Sequence, residues 1–456
     1  MSSSIASQRD GKQLPVLIIG AGSCGLALAN GLKNAGIPYR IFEREAPGTL
    51  RHGRDWALAC HWAAPMLEQL VGPDRWPHVL KAQADPTLPV PGADYVKILD
   101  GATGETVNEF PFHGIYRFLR SKLRAFLAEP VVVEHGKTLV RFDINDKSAD
   151  QSGTSSSSNT VTAIFDDGTA VEGRLLVGAD GSKSLVRGSL LLSSPQASRN
   201  NRLPFAATFI AASYTREQAL FLRSYHPLFN VVLHPHGMVG MLALLDAPDP
   251  DKPEDWVFQF YISWASSPEE QDAEAAQQGM ATKKARWEQV MAKSAVYGQP
   301  LRSAFDWLQE RMQDGQGDDS VGVFYGGVSN WDPSAEGHVW DNRGGLVTLV
   351  GDAAHPMTYH RGQGLNHAIA DAAELCKLLS SSSSSATAAA AGEGGSQQQQ
   401  KELIDAYEAE MRTRAGEEVR LSEMNTRMLH DWDKVQHSPL VKKGVVQARA
   451  EEDESK

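Results

Sequence analysis

Few folds can follow from a short apolar run, Pro15 to Ile19, that leads directly into Gly20-Ala21-Gly22-Ser23-Cys24-Gly25. Leu28, Ala29, Leu32 and Ala35 continue at helical spacing, Gly36-Ile37-Pro38 breaks the pattern, and Tyr39 to Phe42 read as a second strand that ends in Glu43. Strand, helix and strand in this order feed a parallel sheet. Gly20 allows the sharp turn, Gly22 lets a pyrophosphate approach the backbone, and Gly25 lets helix and strand pack closely. The helix N-terminus offers free N–H groups and partial positive charge, and Glu43 can accept hydrogen bonds from a ribose diol. The unit points to a dinucleotide and does not choose between NAD and FAD.

A second segment, far along the chain, has a similar logic. The apolar run Leu346 to Val350 reads as a buried strand and exits into Gly351-Asp352-Ala353-Ala354-His355-Pro356. After Arg361-Gly362-Gln363-Gly364 a helix begins near Leu365, with Ala368, Ile369, Ala372, Cys376 and Leu379 at helical spacing. An acidic residue at a strand exit and a glycine-lined helix start make a polar site for a large ligand. Between the two, Val161, Ala163 and Phe165 alternate into an Asp167-Gly168 turn. A returning strand, Leu175 to Val177, then leads to Gly178-Ala179-Asp180-Gly181-Ser182.

These three motifs in this order resemble the aromatic-hydroxylase class of FAD-dependent monooxygenases, the group A flavoproteins with a p-hydroxybenzoate hydroxylase-like fold. The resemblance spans roughly residues 14 to 430, and the wording Met357-Thr358 to Gly364 looks most like fungal secondary-metabolism members. It implies an α/β, Rossmann-like FAD-binding domain of the glutathione-reductase type. That domain is interleaved with an antiparallel β-sheet substrate domain and followed by a C-terminal helical segment. It also implies roles by position. Glu43 would hold the adenosine ribose, and Arg120 would reach the FAD pyrophosphate. Asp180 would shape the cofactor and nicotinamide approach, and Asp352 would accept a ribityl hydroxyl. The backbone N–H groups of Leu365 and Asn366 would face the flavin pyrimidine edge, where a helix N-terminus stabilises negative charge. Each has a plainer alternative: Arg120 as a surface helix arginine, Asp352 as a helix cap, Asp180-Gly181 as a turn pair. Lys183 and Arg187 read as a solvated helix face.

The family usually carries a proline where this chain has Tyr359, beside the flavin ring. Tyr359 and His360 are the candidate catalytic residues, pointing at substrate as donors or else merely packing. No arginine stands within Phe205 to Ser213, so a phenolate-binding arginine is not assigned there. The implied reaction uses NADPH or NADH and O2, through a flavin C4a-hydroperoxide, to hydroxylate an aromatic, polyketide or alkaloid-like small molecule. Baeyer–Villiger or epoxidising oxygenation, and a non-catalytic FAD-binding role, remain as alternatives. Halogenation is disfavoured because no two of the ten tryptophans are two residues apart.

Composition narrows the partners. Lys+Arg of 44 against Asp+Glu of 56 leaves a net charge of −12, which argues against nucleic acid or an anionic membrane surface. The three cysteines, Cys24, Cys60 and Cys376, show no metal-ligand or CxxC spacing and suit a reducing compartment. No signal peptide or bilayer-length apolar run is evident, so a cytoplasmic location is expected.

The organisation reads as interleaved. Residues 14–93, 113–188 and 341–379 are expected to bind FAD, and 94–112 with 189–340 to form the substrate domain. Residues 401–435 are read as C-terminal helix, and the low-complexity stretches 148–159 and 380–400 as disordered inserts. Strands are expected over Phe205 to Ala212, Val231 to Leu233, Val239 to Leu245 and Trp256 to Trp264, with a helical stretch over Pro268 to Lys293.

Overall fold

The computed structural model describes residues 13–49, 55–90, 95–111, 114–145, 159–277, 282–313, 321–384 and 393–443. Its base is a five-stranded parallel sheet in the order Val347–Leu349, Leu175–Gly178, Val16–Ile19, Tyr39–Glu43, Val133–His135. The strands are short and apolar because both faces are covered; Val16, Leu17 and Ile18 are fully buried. Helices Ser23–Asn34 and Gly364–Ser384 lie against each other on this sheet. All three sequence motifs therefore leave neighbouring strands at one edge. In open parallel sheets that edge, outside the carboxyl ends of the strands, is where ligands bind.

A second sheet has seven strands, in the order Gly322–Asn330, Asn201–Ser213, Val257–Ala265, Met238–Asp246, Phe229–His234, Tyr95–Asp100, Thr106–Pro111. Neighbours are antiparallel except at one junction, where the lent hairpin strand Tyr95–Asp100 runs parallel to Phe229–His234. Helices Lys283–Ser294 and Leu301–Gln313 pack one face around Trp287, Phe260 and Phe305. The fold is thus a Rossmann-like unit with a parallel sheet, interleaved with a largely antiparallel sheet and closed by C-terminal helix.

Several expectations need correction. The strand returning from the Asp167-Gly168 turn is Ala170–Gly173, in a three-stranded sheet; Leu175–Gly178 crosses into the parallel sheet instead. The helical stretch from Pro268 is two helices, Pro268–Ala276 and Lys283–Ser294, each with a hydroxyl N-cap. Strand Gly322–Asn330 was not anticipated, because Gly326 and Gly327 dilute its β signal. Residues 380–384 continue one helix, and 393–400 begin another, Glu393–Leu429, so the insert expected over 380–400 is helical at both ends. Residues 385–392 lie outside the described residues. So does nearly all of the insert expected over 148–159. Arg187 is no surface residue: it is buried, and it donates to the carbonyls of Ser182 (2.7 Å) and Ala353 (2.9 Å), tying the middle and late motifs together.

Candidate active site

The glycine loop has the geometry of a ligand cradle. Gly20 has a φ of +107°, and an added Cβ would meet the Ala179 carbonyl oxygen at 2.5 Å. A Cβ on Gly25 would lie 2.1 Å from the Gly20 oxygen, so helix and loop touch there. Beside Gly22 nothing lies within 4 Å of such a Cβ. Gly22 is also the N-cap of helix Ser23–Asn34 and supplies no side-chain cap. A helix start with free N–H groups facing open space fits a pyrophosphate.

Glu43 closes one end of this cradle. Its Oε2 accepts the Ala21 N–H at 3.0 Å and its Oε1 accepts the Glu45 N–H at 3.1 Å. Each oxygen keeps acceptor capacity for a ribose hydroxyl. Arg124 was not singled out from sequence. One turn along the helix from Arg120, it donates from Nε to the Ala21 carbonyl (3.1 Å) and stands 3.8 Å from Glu43. The paired spacing of Arg120 and Arg124 on one helix was the available signal.

Arg120 packs its guanidinium 4.8 Å over the Trp56 ring and lies within electrostatic range of Asp352. Asp352 is enclosed by protein on most sides, yet its side chain opens onto free space. Burial pushes its carboxyl up, while His355, Arg120 and Arg187 pull it down. Asp180 accepts the N–H groups of Leu185 (2.7 Å) and Val186 (3.2 Å) through Oδ2, capping a short helix. Its other oxygen is buried with no partner, and burial raises its pKa.

Helix Gly364–Ser384 starts at the far end of the same groove. Leu365 and Asn366 lie in its first turn, where N–H groups have no intrahelical acceptor. The Asn366 side chain accepts the His61 N–H (2.9 Å) and donates to the Ala59 carbonyl (3.1 Å), fixing strand Ala57–Cys60 against the helix start.

A cavity of about 430 Å³ adjoins this helix start. Aromatic walls from the seven-stranded sheet (Phe209, Tyr261, Phe324) face the segment Tyr359–Gly362 across it. Tyr359 is 37 % exposed, and it packs edge-on to Phe209 and Tyr261 with ring centroids 5.3 Å away in each case. Burial raises its pKa well above the usual tyrosine value, and the nearby Ser263 offsets part of that rise. The Ser263 hydroxyl lies 2.9 Å from His430 Nε2, while His430 Nδ1 faces the Thr426 carbonyl at 2.8 Å. A carbonyl only accepts, so Nδ1 carries the proton and Nε2 accepts from Ser263. Ser263 therefore donates its one hydroxyl proton to His430. Burial holds His430 down to about 4, so the ring is neutral near pH 7.

His360 is placed differently. Its Nδ1 lies 3.0 Å from the Thr426 hydroxyl, its Nε2 is buried without a partner, and burial keeps it neutral. Also unforeseen is a buried network behind the late motif. Asp371 accepts from Gly351 N (2.7 Å) and Arg414 (2.7 Å), and its Oδ2 lies 2.6 Å from His355. A charged residue among Ala368, Ile369 and Ala372 was the legible sign.

Residues 123–422 match the family described as FAD binding domain. The chain is 34% identical over 433 residues, 95% of each chain, to the FAD-dependent monooxygenase phnB of Penicillium herquei. It is 33% identical over 375 residues to dbaB of Emericella nidulans, covering 81% of this chain and 87% of the relative. The chain belongs to the FAD-dependent monooxygenases of the aromatic-hydroxylase type. Among solved structures it shares the fold of 2,6-dihydroxypyridine-3-hydroxylase from Arthrobacter nicotinovorans, with a TM-score of 0.66 at 18% identity over 92% of this chain and 93% of that one. Klebsiella pneumoniae HpxO complexed with FAD and uric acid matches with a TM-score of 0.64 at 18% identity, over 95% and 92%. Among the described residues, no helix is long and apolar enough to cross a membrane.

Proposed function

We propose that this chain hydroxylates an aromatic, polyketide or alkaloid-like small molecule in fungal secondary metabolism, consuming O2 and NADPH or NADH. Bound FAD would supply the hydride acceptance from the nicotinamide and the activation of O2. The reaction balances as substrate–H, O2, NAD(P)H and a proton giving substrate–OH, water and NAD(P)+. The observation that carries the reading is the aromatic cavity abutting the segment that leads into helix Gly364–Ser384.

Every other step falls to the protein. The loop Gly20–Gly25 and the helix start at Ser23 bind the pyrophosphate, with Arg120 and Arg124 adding positive charge. Glu43 takes the adenosine ribose, Asp352 takes a ribityl hydroxyl, and Asp180, capping helix Leu185–Leu190, shapes the cofactor and nicotinamide approach. The N–H groups at Leu365 and Asn366 stabilise negative charge on the pyrimidine edge. Tyr359, on the cavity wall, offers its hydroxyl to a substrate oxygen as a hydrogen-bond donor. His360 serves by holding the segment against helix Glu393–Leu429 rather than by acid–base work. The same reading assigns 14–93, 113–188 and 341–379 to the cofactor domain, 94–112 with 189–340 to the substrate domain, and 401–435 to the helix that braces them.

The test is nicotinamide oxidation under air by FAD-loaded protein, with phenolic, indolic and polyketide compounds. Oxidation stimulated by one compound, with a product heavier by one oxygen atom, supports the proposal. Bound flavin that neither nicotinamide reduces, with every compound present, would remove it.

A further inference from the structure

Arg117 holds a charge that the fold does not use. It comes from strand Tyr116–Leu119, lines the cavity and is only 4% exposed. Burial lowers its pKa to about 10, which still leaves the guanidinium protonated near pH 7. Its Nη2 has no hydrogen-bond partner, and its Nε stands 3.5 Å from the Leu244 carbonyl, at the limit of a hydrogen bond. Among the described residues it forms no ion pair. Asp55 is the single carboxylate among the described residues lining the cavity, and its Oδ1 is turned to the N–H groups of Trp56 and Ser121. The other guanidinium on that wall, Arg361, is paired with Glu418 at 2.9 Å.

A buried cation without a counter-charge is strongly disfavoured unless something else offsets it. The Phe229 ring, 4.9 Å from the guanidinium carbon, offsets part of it. The cavity it lines is otherwise largely apolar, with Val96, Val231, Met241 and Leu440 on its walls, and Tyr261 and a neutral His226 lie within electrostatic range of the guanidinium. We propose that Arg117 is an anion subsite of the cavity, and that the ligand it takes is a planar aromatic bearing an anionic oxygen, as a phenolate or a carboxylate. Aromatic walls select the rings, and the guanidinium pairs the oxygen in one orientation, which fixes the ring carbon offered to the cofactor. The size fits fused rings, since a cavity of about 150 Å³ already accommodates a single benzene ring.

This proposal rests on the cavity being the substrate pocket, as argued above. The experiment is calorimetric titration of the FAD-loaded protein with two pairs of charged and neutral aromatics at neutral pH. One pair is naphthoate and naphthamide; the other is a nitronaphthol, ionised at that pH, and its methyl ether. The expected result is at least a roughly tenfold tighter binding of one or both anions over their neutral partners. Arg117→Gln should abolish that preference, and Arg117→Lys should keep part of it, both with unchanged FAD content and melting temperature. Preference for naphthoate alone assigns a carboxylate, and for the nitronaphthol alone a phenolate. Equal binding of all four by the unaltered protein overturns the proposal, as does a preference that survives in a folded Arg117→Gln. If Arg117→Gln does not fold, the unaltered protein and Arg117→Lys decide. Titration needs no turnover, so an anion preference without oxygenation would defeat only the proposed reaction. Oxygenation without the preference would defeat only the anion subsite.

Discussion

Gly22 and Gly25 stand three residues apart and should fail in opposite ways. A side chain on Gly25 collides with the Gly20 carbonyl, whereas one on Gly22 meets only the open space proposed for the pyrophosphate. Gly22 has a φ of −74°, which any residue adopts. Gly22→Val should therefore fold with an ordinary melting curve and lose bound flavin, while Gly25→Val should fail to fold. A Gly22→Val that retains full FAD content would remove the pyrophosphate assignment. At Tyr359 the proposed contribution is one hydrogen bond to the substrate. Tyr359→Phe should keep its FAD and cut product formation by roughly 10- to 100-fold. Unchanged turnover would show that the tyrosine only packs. The three glycines and Glu43 were legible because backbone conformation and a fixed spacing dictate them. Arg117 and Arg124 were not, because an isolated arginine on a strand or helix carries no periodic signal of what faces it. Arg187 was misread for the same reason.

At the scale of elements, helix Glu393–Leu429 is the brace of the site. It holds the late motif through Asp371–Arg414, holds the cavity segment through Thr358–Ser422 and Arg361–Glu418, and reaches Leu349 through the Tyr407 hydroxyl. Asp371 is held well below the usual carboxylate range: burial pushes it up, but His355 and Arg414 outweigh that. Removing one partner leaves the other charge buried and alone. Arg414→Met should thus cost about 3–5 kcal/mol, read by thermal or urea unfolding of the FAD-free protein, and should also weaken FAD retention. A loss under about 1 kcal/mol would show that the network is not what anchors the helix. The apolar strands and the helix after Gly364 were readable from period alone. Helix Glu393–Leu429 was only half readable, since its Ser-, Gly- and Gln-rich start has the composition of a loop. Its length is set by the partners it spans rather than by its own propensity.

For the molecule as a whole, buried neutral histidines set the response to acid. His61 and His226 are held down to about 3 and His430 to about 4, with burial the largest cause in each. His360 and His367 also lie well below the ordinary 6.5. Unfolded, all five take up protons near 6.5; folded, they do not. The unfolded state binds more protons below that pH, so this stability is complete above about 6.5 and is lost progressively as pH falls toward about 3. Buried Glu408 and Glu418, and the partly enclosed Asp180 and Asp352, are pushed up by desolvation and work in the opposite sense. The histidines should dominate between about pH 6.5 and 5, and the melting temperature should fall across that range. A flat or rising melting temperature would contradict these placements. The interleaving of cofactor and cavity sheets followed from the order of three motifs. The parallel junction of the lent hairpin was invisible in it, because strand direction in a sheet is settled by distant partners.

The central claim is that one atom of O2 reaches an organic substrate in the cavity beside helix Gly364–Ser384. It is tested most directly by single-turnover reaction of FAD-loaded, nicotinamide-reduced protein with isotopically labelled O2 and the best-bound aromatic. Label in one product oxygen, with the other in water, is the predicted result. Hydrogen peroxide formed in step with nicotinamide oxidation, and no label in any organic product, would contradict it.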